Sequence, residues 1–148
     1  MPSLETAARS LKVAPIIAPV HSDAEIVAAI VALGREPGGG LVLMPDVFFT
    51  AAHRTAIILA AARNHVPAVY GNLTFAKEGG LLSYGPDLVG TWRGTAAYVD
   101  RILRGEKPGD LPAQLPTKFE MVVNRKTAKA LGLAVPPSIM LRATEVIE

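Results

Sequence analysis

The chain has 148 residues, half of them hydrophobic and 19% charged, with a formal net charge of +2 at pH 7. This length and composition predict one packed domain and exclude a disordered chain. The absence of cysteine excludes disulfides and thiolate chemistry, and the scattered basic residues do not indicate a nucleic-acid-binding surface.

The amino terminus shows no sign of export. Its first 20 residues lack the basic region, apolar run and cleavage site of a secretory signal, and no apolar run reaches the length of a membrane span. We therefore expect a chain made as written to stay in the cytoplasm. Residues 3–12 predict a helix, with Ser3 as a candidate cap, and the β-branched residues 13–20 predict the first strand.

Alternating helices and strands follow. The pattern predicts a helix over 21–36 capped by Ser22 or Asp23, a strand over 41–44, a helix over 50–65 with Ile57, Ile58, Leu59 and Ala61 inside, and a strand over 67–70. Apolar strands that alternate with helices are typical of an α/β fold. We expect a Rossmann-like parallel sheet with helices on both faces, joined by right-handed crossovers.

After Gly71 the elements become shorter and prolines more frequent. The sequence predicts a short helix within 73–79, a strand over 81–84, a helix over 87–103 capped by Asp87, an extended connector over 105–116, a strand over 119–123, a short helix, and a terminal turn after a Pro-Pro break. On the long helix, Trp92, Tyr98 and Val99 are expected in the core or an interface.

Polar side chains stand at three consecutive strand ends. Asp46 follows the strand over 41–44, Asn72 follows the next strand, and Ser83 and Tyr84 end the one after it. Asp46 has two interpretations, as a turn or helix cap and as a carboxylate that binds a ligand's ammonium or hydroxyl group. Each of the others is either a turn residue or a site residue. Since ligands bind at the carboxyl ends of parallel strands, their coincidence favours a binding site.

Other chemistry finds less support in the sequence. His21, His53 and His65 lack the spacing of a metal site, Ser83 does not have the nucleophile-elbow spacing, and no phosphate-binding loop is present. We therefore predict no cofactor and no metal. Two alternatives stay open: an α/β enzyme of the hydrolase type that uses Asp46 and His53, and a self-associating remnant without a ligand.

Two passages resemble a known family. They are "YGPDL" followed by "AAYVDRILRGEKPGDLPAQLPTKFE", and the tail from Asn124 to Ser138. Nearly the whole chain resembles the carboxyl-terminal half of the ABC-transporter substrate-binding proteins that include tryptophan- and tyrosine-binding members. The resemblance implies a type I periplasmic-binding fold, in which two Rossmann-like lobes close on a small solute and deliver it to ABC permease subunits. It also implies a periplasmic location and a protein that is not an enzyme.

The resemblance also divides the chain and assigns site residues. It implies that residues 1–70 are βα units of the second lobe, that 71–105 return to the first lobe, and that 106–148 cross the hinge and complete the second lobe. Asp46, with its neighbour Val47, matches an acidic strand-end position that faces a ligand amino group. Asn72 falls where amino-acid-binding relatives commonly place an Asp, and Ser83 and Tyr84 match the next position on the same edge.

The family pattern has a whole first lobe ahead of the point where this sequence begins. A partial lobe leaves apolar surface exposed unless another chain covers it. We therefore expect either a shortened chain or a homodimer formed through the partial lobe.

Overall fold

The computed structural model describes residues 2–47, 49 and 52–148. In chain order these residues form α1 (Pro2–Ser10), α2 (Asp23–Gly34), β1 (Leu41–Leu43), α3 (Arg54–Arg63), β2 (Ala68–Tyr70), α4 (Thr74–Lys77), β3 (Leu82–Pro86), α5 (Leu88–Leu103), a 3-10 turn (Pro108–Asp110), β4 (Phe119–Asn124), α6 (Arg125–Ala130), α7 (Pro137–Met140) and β5 (Glu145–Ile147). Positions 50 and 51 of the predicted helix over 50–65 lie outside the described residues.

The five strands form one sheet in the order β1-β2-β3-β4-β5. The first three strands are parallel, and Leu43 pairs with Tyr70, which in turn pairs with Ser83. The carboxyl ends of β1, β2 and β3 therefore lie along one edge of the sheet. The predicted α/β fold with a helix-flanked sheet is confirmed, but the sheet is mixed, because β4 runs antiparallel to β3.

The reversed direction of β4 follows from the path of residues 87–118, which we call the α5 arm. α5 leads away from the end of β3, and the connector returns beside it, with the Tyr98 hydroxyl donating to the Pro112 carbonyl (2.7 Å). At the base of the arm, the Asp87 N–H donates to the Lys118 carbonyl (3.0 Å). The chain thus re-enters the sheet at the edge where it left, so β4 has to run opposite to β3.

The hydrophobic core lies between α2, α3 and β2. Ile26 and Ile30 of α2 pack with Ile57 and Ile58 of α3 and with Tyr70 of β2 in one buried cluster. The predicted cap of α2 is confirmed, since the Ser22 hydroxyl accepts a hydrogen bond from the Glu25 N–H (3.3 Å). Periodicity thus identified the buried faces of both helices, apart from Leu59, which is 46% exposed.

Two other predictions are corrected. Residues 13–20 form no strand. Positions 14–20 make no backbone hydrogen bond to any residue that the structure describes. A strand needs a neighbouring strand to bond to, and β2 is the one strand that β1 pairs with in the described part of the chain. The terminal turn is instead β5, which pairs with β4. Trp92 is 72% exposed, which leaves it outside the core, while its expected place in an interface stays a prediction. No described helix has the length and apolar character that crossing a membrane requires.

Candidate functional site

The candidate site is the edge of the sheet where β1, β2 and β3 end, which we call the strand-end rim. Asp46 and Val47 follow β1 and are exposed, Asn72 follows β2 and is half-buried, and Tyr84 in β3 is 45% exposed. Because Leu43, Tyr70 and Ser83 are aligned across the sheet, the segments that follow them emerge side by side. The structure thus brings four of the five predicted site residues to an accessible edge.

Two glycines allow these segments to touch. A Cβ atom on Gly71 would lie 2.8 Å from Cγ of Pro45, and one on Gly85 would overlap the carbonyl oxygen of Gly71. The chain after β1 therefore packs on the chain after β2, and that chain packs on β3. Our sequence analysis did not identify either glycine as a site residue, although a glycine directly after a buried strand is a signal of close backbone approach.

Asn72 lies two residues before the short helix α4. Its Oδ1 atom accepts a hydrogen bond from the Thr74 N–H (2.9 Å), and its backbone carbonyl accepts from the Phe75 N–H (3.2 Å). Both bonds use oxygen atoms as acceptors. The Nδ2 group, which makes no hydrogen bond within the described residues, is a donor that can bind a carboxylate or carbonyl oxygen of a ligand.

Ser83 is the one predicted site residue that the structure buries completely. Its hydroxyl oxygen accepts a hydrogen bond from the Ala76 N–H (3.0 Å). The Asn124 side chain, also buried, donates to the Ala76 carbonyl (3.0 Å), so β3 and β4 together hold α4. This placement favours a structural role, and a ligand contact by Ser83 stays a prediction that its burial does not support.

An aromatic pair at the rim includes a residue that our sequence analysis missed. The rings of Tyr84 and Phe119 are stacked with their centroids 5.6 Å apart, and each ring is about half exposed. Phe119 begins β4, and it reaches this edge only because β4 is antiparallel to β3. A strand predicted as parallel would start at the opposite edge, so the sequence pattern did not indicate Phe119.

Three charged residues beside the aromatic pair are linked, with one lysine between two carboxylates. Lys118 Nζ lies 2.9 Å from Asp87 Oδ2 and 2.8 Å from Glu120 Oε1. The hydrogen bond from the Gly90 N–H, followed by that from Lys118, lowers the pKa of Asp87. The hydrogen bonds to Glu120 and Asp87 raise the pKa of Lys118. These two ion pairs fix the base of the α5 arm next to the rim.

Three other features of the described residues bear on the alternatives. The Nδ1 atom of His53 lies 2.5 Å from Oδ1 of Asp23, which links the start of α3 to the start of α2. No group of three potential metal ligands occurs within the described residues. An open cleft of about 340 Å³ lies between α5 and residues 114–118, but none of the five predicted site residues lines it.

The chain is similar to known substrate-binding proteins. A family model described as "ABC transporter substrate binding protein" matches residues 3–147. No curated protein shows significant similarity to the chain. A conserved domain protein from Vibrio cholerae is 25% identical with a TM-score of 0.86, and the match covers 99% of this chain and 49% of that one.

Two further solved structures share the fold. One is an ABC domain from Streptococcus pneumoniae in complex with L-Trp, with 21% identity, a TM-score of 0.85, and coverage of 99% of this chain and 50% of that one. The other is the ligand-free, open structure of a Clostridium difficile substrate binding protein with adhesive properties, with 19% identity, a TM-score of 0.66, and coverage of 99% and 48%. The chain thus spans about half the length of the solved structures that it matches.

Proposed function

The chain belongs to the ABC transporter substrate binding protein family, and from that membership we propose that it binds a small organic solute at the strand-end rim. The observation that carries this proposal is the close backbone packing of the three strand-end segments through Gly71 and Gly85. This packing holds Asp46, Asn72 and Tyr84 along one edge, where a single small molecule can contact all three.

The chemistry of the rim suits an aromatic amino acid or a related solute. The Asp46 carboxylate accepts hydrogen bonds from an ammonium group, and the Asn72 amide donates to a carboxylate. The half-exposed faces of Tyr84 and Phe119 offer apolar surface to a ring or aliphatic group. Because one structural relative is in complex with L-Trp, L-Trp is the first solute to test.

We further propose that the rim is one wall of a cleft that closes by hinge motion, as part of an ABC importer outside the cytoplasmic membrane. Closure over a solute requires that the solute bind the closed state more tightly than the open one. In this proposal the lobe that carries the rim consists of residues 1–70 and 106–148 together with 71–86, because β3 pairs with β2 and β4 in one sheet. Residues 87–105 then reach toward a second lobe. The partners are ABC permease subunits. One wall alone binds weakly, so we expect a dissociation constant near or above 1 mM.

The proposal is tested by titrating the 148-residue chain with L-Trp, L-Tyr and small organic acids, following backbone amide resonances by NMR. We expect the largest shifts at Val47, Asn72, Gly85 and Phe119. Asp46→Asn should weaken binding of the amino-acid ligand about tenfold or more, because it removes a charge-assisted hydrogen bond of about 1.5–3 kcal/mol.

Asp110→Asn provides the matched control, since Asp110 is an exposed aspartate in the 3-10 turn of the α5 arm, outside the rim. Its affinity should stay within about twofold of the unmodified chain. Equal affinities for the Asp46→Asn variant and the unmodified chain, or resonance shifts confined to the cleft along residues 114–118, would contradict the rim as the binding site.

We also propose that the chain catalyses no reaction. The hydrolase alternative depends on Asp46 and His53. The Nδ1 atom of His53 lies 2.5 Å from the Oδ1 atom of Asp23. A panel of ester substrates distinguishes the hydrolase from the binding protein. Turnover by the unmodified chain that is lost in both Asp46→Asn and His53→Ala variants would favour the hydrolase over the binding protein.

A further inference from the structure

The antiparallel ladder between β3 and β4 is incomplete at the end that lies beside the rim. The Asp87 N–H donates to the Lys118 carbonyl (3.0 Å), but within the described residues the return bond from the Lys118 N–H to the Asp87 carbonyl is not made. The Asp87 carbonyl instead accepts from the N–H (3.0 Å) and the hydroxyl (2.9 Å) of Thr91 in the first turn of α5. The start of β4 is therefore held by one backbone bond where a regular ladder has two.

The side chain of Lys118 supplies the missing connection. Its Nζ atom donates to Oδ2 of Asp87 (2.9 Å) and to Oε1 of Glu120 (2.8 Å). Asp87 is itself fixed, because its Oδ1 atom accepts from the Gly90 N–H (2.8 Å) as the cap of α5. The two carboxylate side chains are only 17% and 23% exposed. Lys118 thus ties the residue that follows β3 to the second residue of β4, and Phe119 lies between its two ends.

Lys118 lies on the opposite face of the sheet from the aromatic pair. Gly85 and Glu120 are directly paired, so they point to one face. Tyr84 and Phe119 each stand one position along from that pair and therefore point to the other face. Lys118 is two positions from Glu120 and bonds to its side chain, which places it on the Glu120 face. Any effect of Lys118 on a solute at the aromatic pair has to act through Phe119.

We propose that Lys118 is a positioning residue of the solute site, which keeps Phe119 stacked on Tyr84 and so makes the rim select a solute with a planar aromatic group. The inference rests on the solute-binding function proposed above. The two ring planes differ by only 22°, and the rings are 45% and 49% exposed. A third ring can extend this stack, whereas an aliphatic side chain gains burial without the stacking geometry.

The first test measures the stacking itself and needs no solute. Lys118→Met removes both ion pairs and keeps a long unbranched side chain. We expect the NMR signals of the Tyr84 and Phe119 ring protons to move toward the values of unstacked rings, and the contacts between the two rings to weaken. Lys118→Arg can donate to both carboxylates and should keep the signals of the unmodified chain.

The control for the loss of charge is Lys107→Met. Lys107 is an exposed lysine of the same α5 arm, next to the 3-10 turn and away from the end of the ladder. This substitution should leave the ring signals of Tyr84 and Phe119 unchanged. Circular dichroism establishes that each variant folds.

The second test compares two solutes, L-Trp and L-Leu, which share the amino and carboxyl groups and differ in the side chain. An exposed ion pair contributes modestly, so Lys118→Met should weaken L-Trp binding about threefold to fivefold and L-Leu binding less than about 1.5-fold. Lys118→Arg and Lys107→Met should keep the ratio of the two affinities. A purely structural role for Lys118 would leave this ratio unchanged.

Three outcomes would overturn the proposal, and they differ in what else they overturn. Unchanged ring signals in Lys118→Met would show that the ladder alone holds the aromatic pair. Altered ring signals with equal losses of L-Trp and L-Leu affinity would show that the stacking does not select the solute, while the rim stays the binding site. If neither solute shifts any resonance of the unmodified chain, the proposed function fails, and the role of Lys118 in the site fails with it.

Discussion

At the scale of single residues, the rim depends on two glycines, which have no side chain, as well as on its polar and aromatic residues. Gly85 lies in β3 with the carbonyl of Gly71 against it, and Gly71 lies against the ring of Pro45. Backbone groups cannot move aside as a flexible side chain can. The position of Asp46 relative to Asn72 and Tyr84 is therefore sensitive to one methyl group.

Gly85→Ala should lower the free energy of unfolding by about 1–3 kcal/mol or more, because the new Cβ overlaps the Gly71 carbonyl. Chemical denaturation measures the change. Gly94→Ala is the matched control: it adds the same methyl group inside α5, where no atom lies within 4 Å, and should raise stability by about 0.5–1 kcal/mol. A Gly85→Ala variant as stable as the unmodified chain contradicts the close contact.

At the scale of elements, α4 shows how the rim is supported from behind. Its four residues are too few for a helix that is stable by itself. The side chains of Ser83 and Asn124 bond to the two backbone groups of Ala76, and the Thr127 hydroxyl donates to the Gly79 carbonyl just beyond α4 (2.8 Å). β3, β4 and α6 thus fix α4, which follows the rim residue Asn72 by two positions.

Ser83→Ala should cost about 1–3 kcal/mol of stability, because the buried Ala76 N–H loses its acceptor. Solute affinity, measured well below the unfolding transition, should change by less than about twofold if Ser83 only supports α4. Ser138→Ala, at an exposed serine of α7, should leave stability unchanged within about 0.5 kcal/mol. A large loss of affinity without a loss of stability would instead indicate that Ser83 contacts the solute.

The α5 arm shows at the same scale what local sequence can and cannot indicate. The helix, its cap at Asp87 and the extended connector were predicted, because capping and helical spacing are properties of neighbouring residues. The environment of Trp92 was not, because an apolar stripe looks the same in a sequence whether the rest of the fold covers it or leaves it exposed.

At the scale of the whole molecule, the buried Tyr70 links global stability to alkaline pH. Burial raises the pKa of Tyr70 to about 12, above its ordinary value of about 10. Between these two values the unfolded chain releases the proton while the folded chain retains it, so the unfolded state binds fewer protons and stability falls as pH rises. Below about pH 10 the contribution is fully present.

Urea denaturation from pH 8 to 12 should therefore show a loss of about 2 kcal/mol that is assignable to Tyr70. Tyr70→Phe should remove this part of the decline, whereas Tyr84→Phe, at a half-exposed ring, should retain it. Identical pH profiles for the Tyr70→Phe variant and the unmodified chain would contradict the raised pKa.

The candidate site could be predicted in part. Asp46, Asn72 and Tyr84 were found from the sequence because each stands at the end of an apolar strand, and parallel strands end at one edge. Phe119 could not be found in this way, since its position depends on the direction of β4. The burial of Ser83 likewise depends on α4, which packs over it only in the folded chain.

The sequence by itself determined the class of fold, the order of most elements and the edge that carries the candidate site, because periodicity, caps and turn residues act over a few neighbouring positions. Only the tertiary structure decided that β4 is antiparallel, that residues 13–20 form no strand, and that Trp92 and Leu103 of α5 are exposed. These features depend on which elements lie side by side. A strand exists only beside a partner, and an apolar face is buried only where another surface covers it.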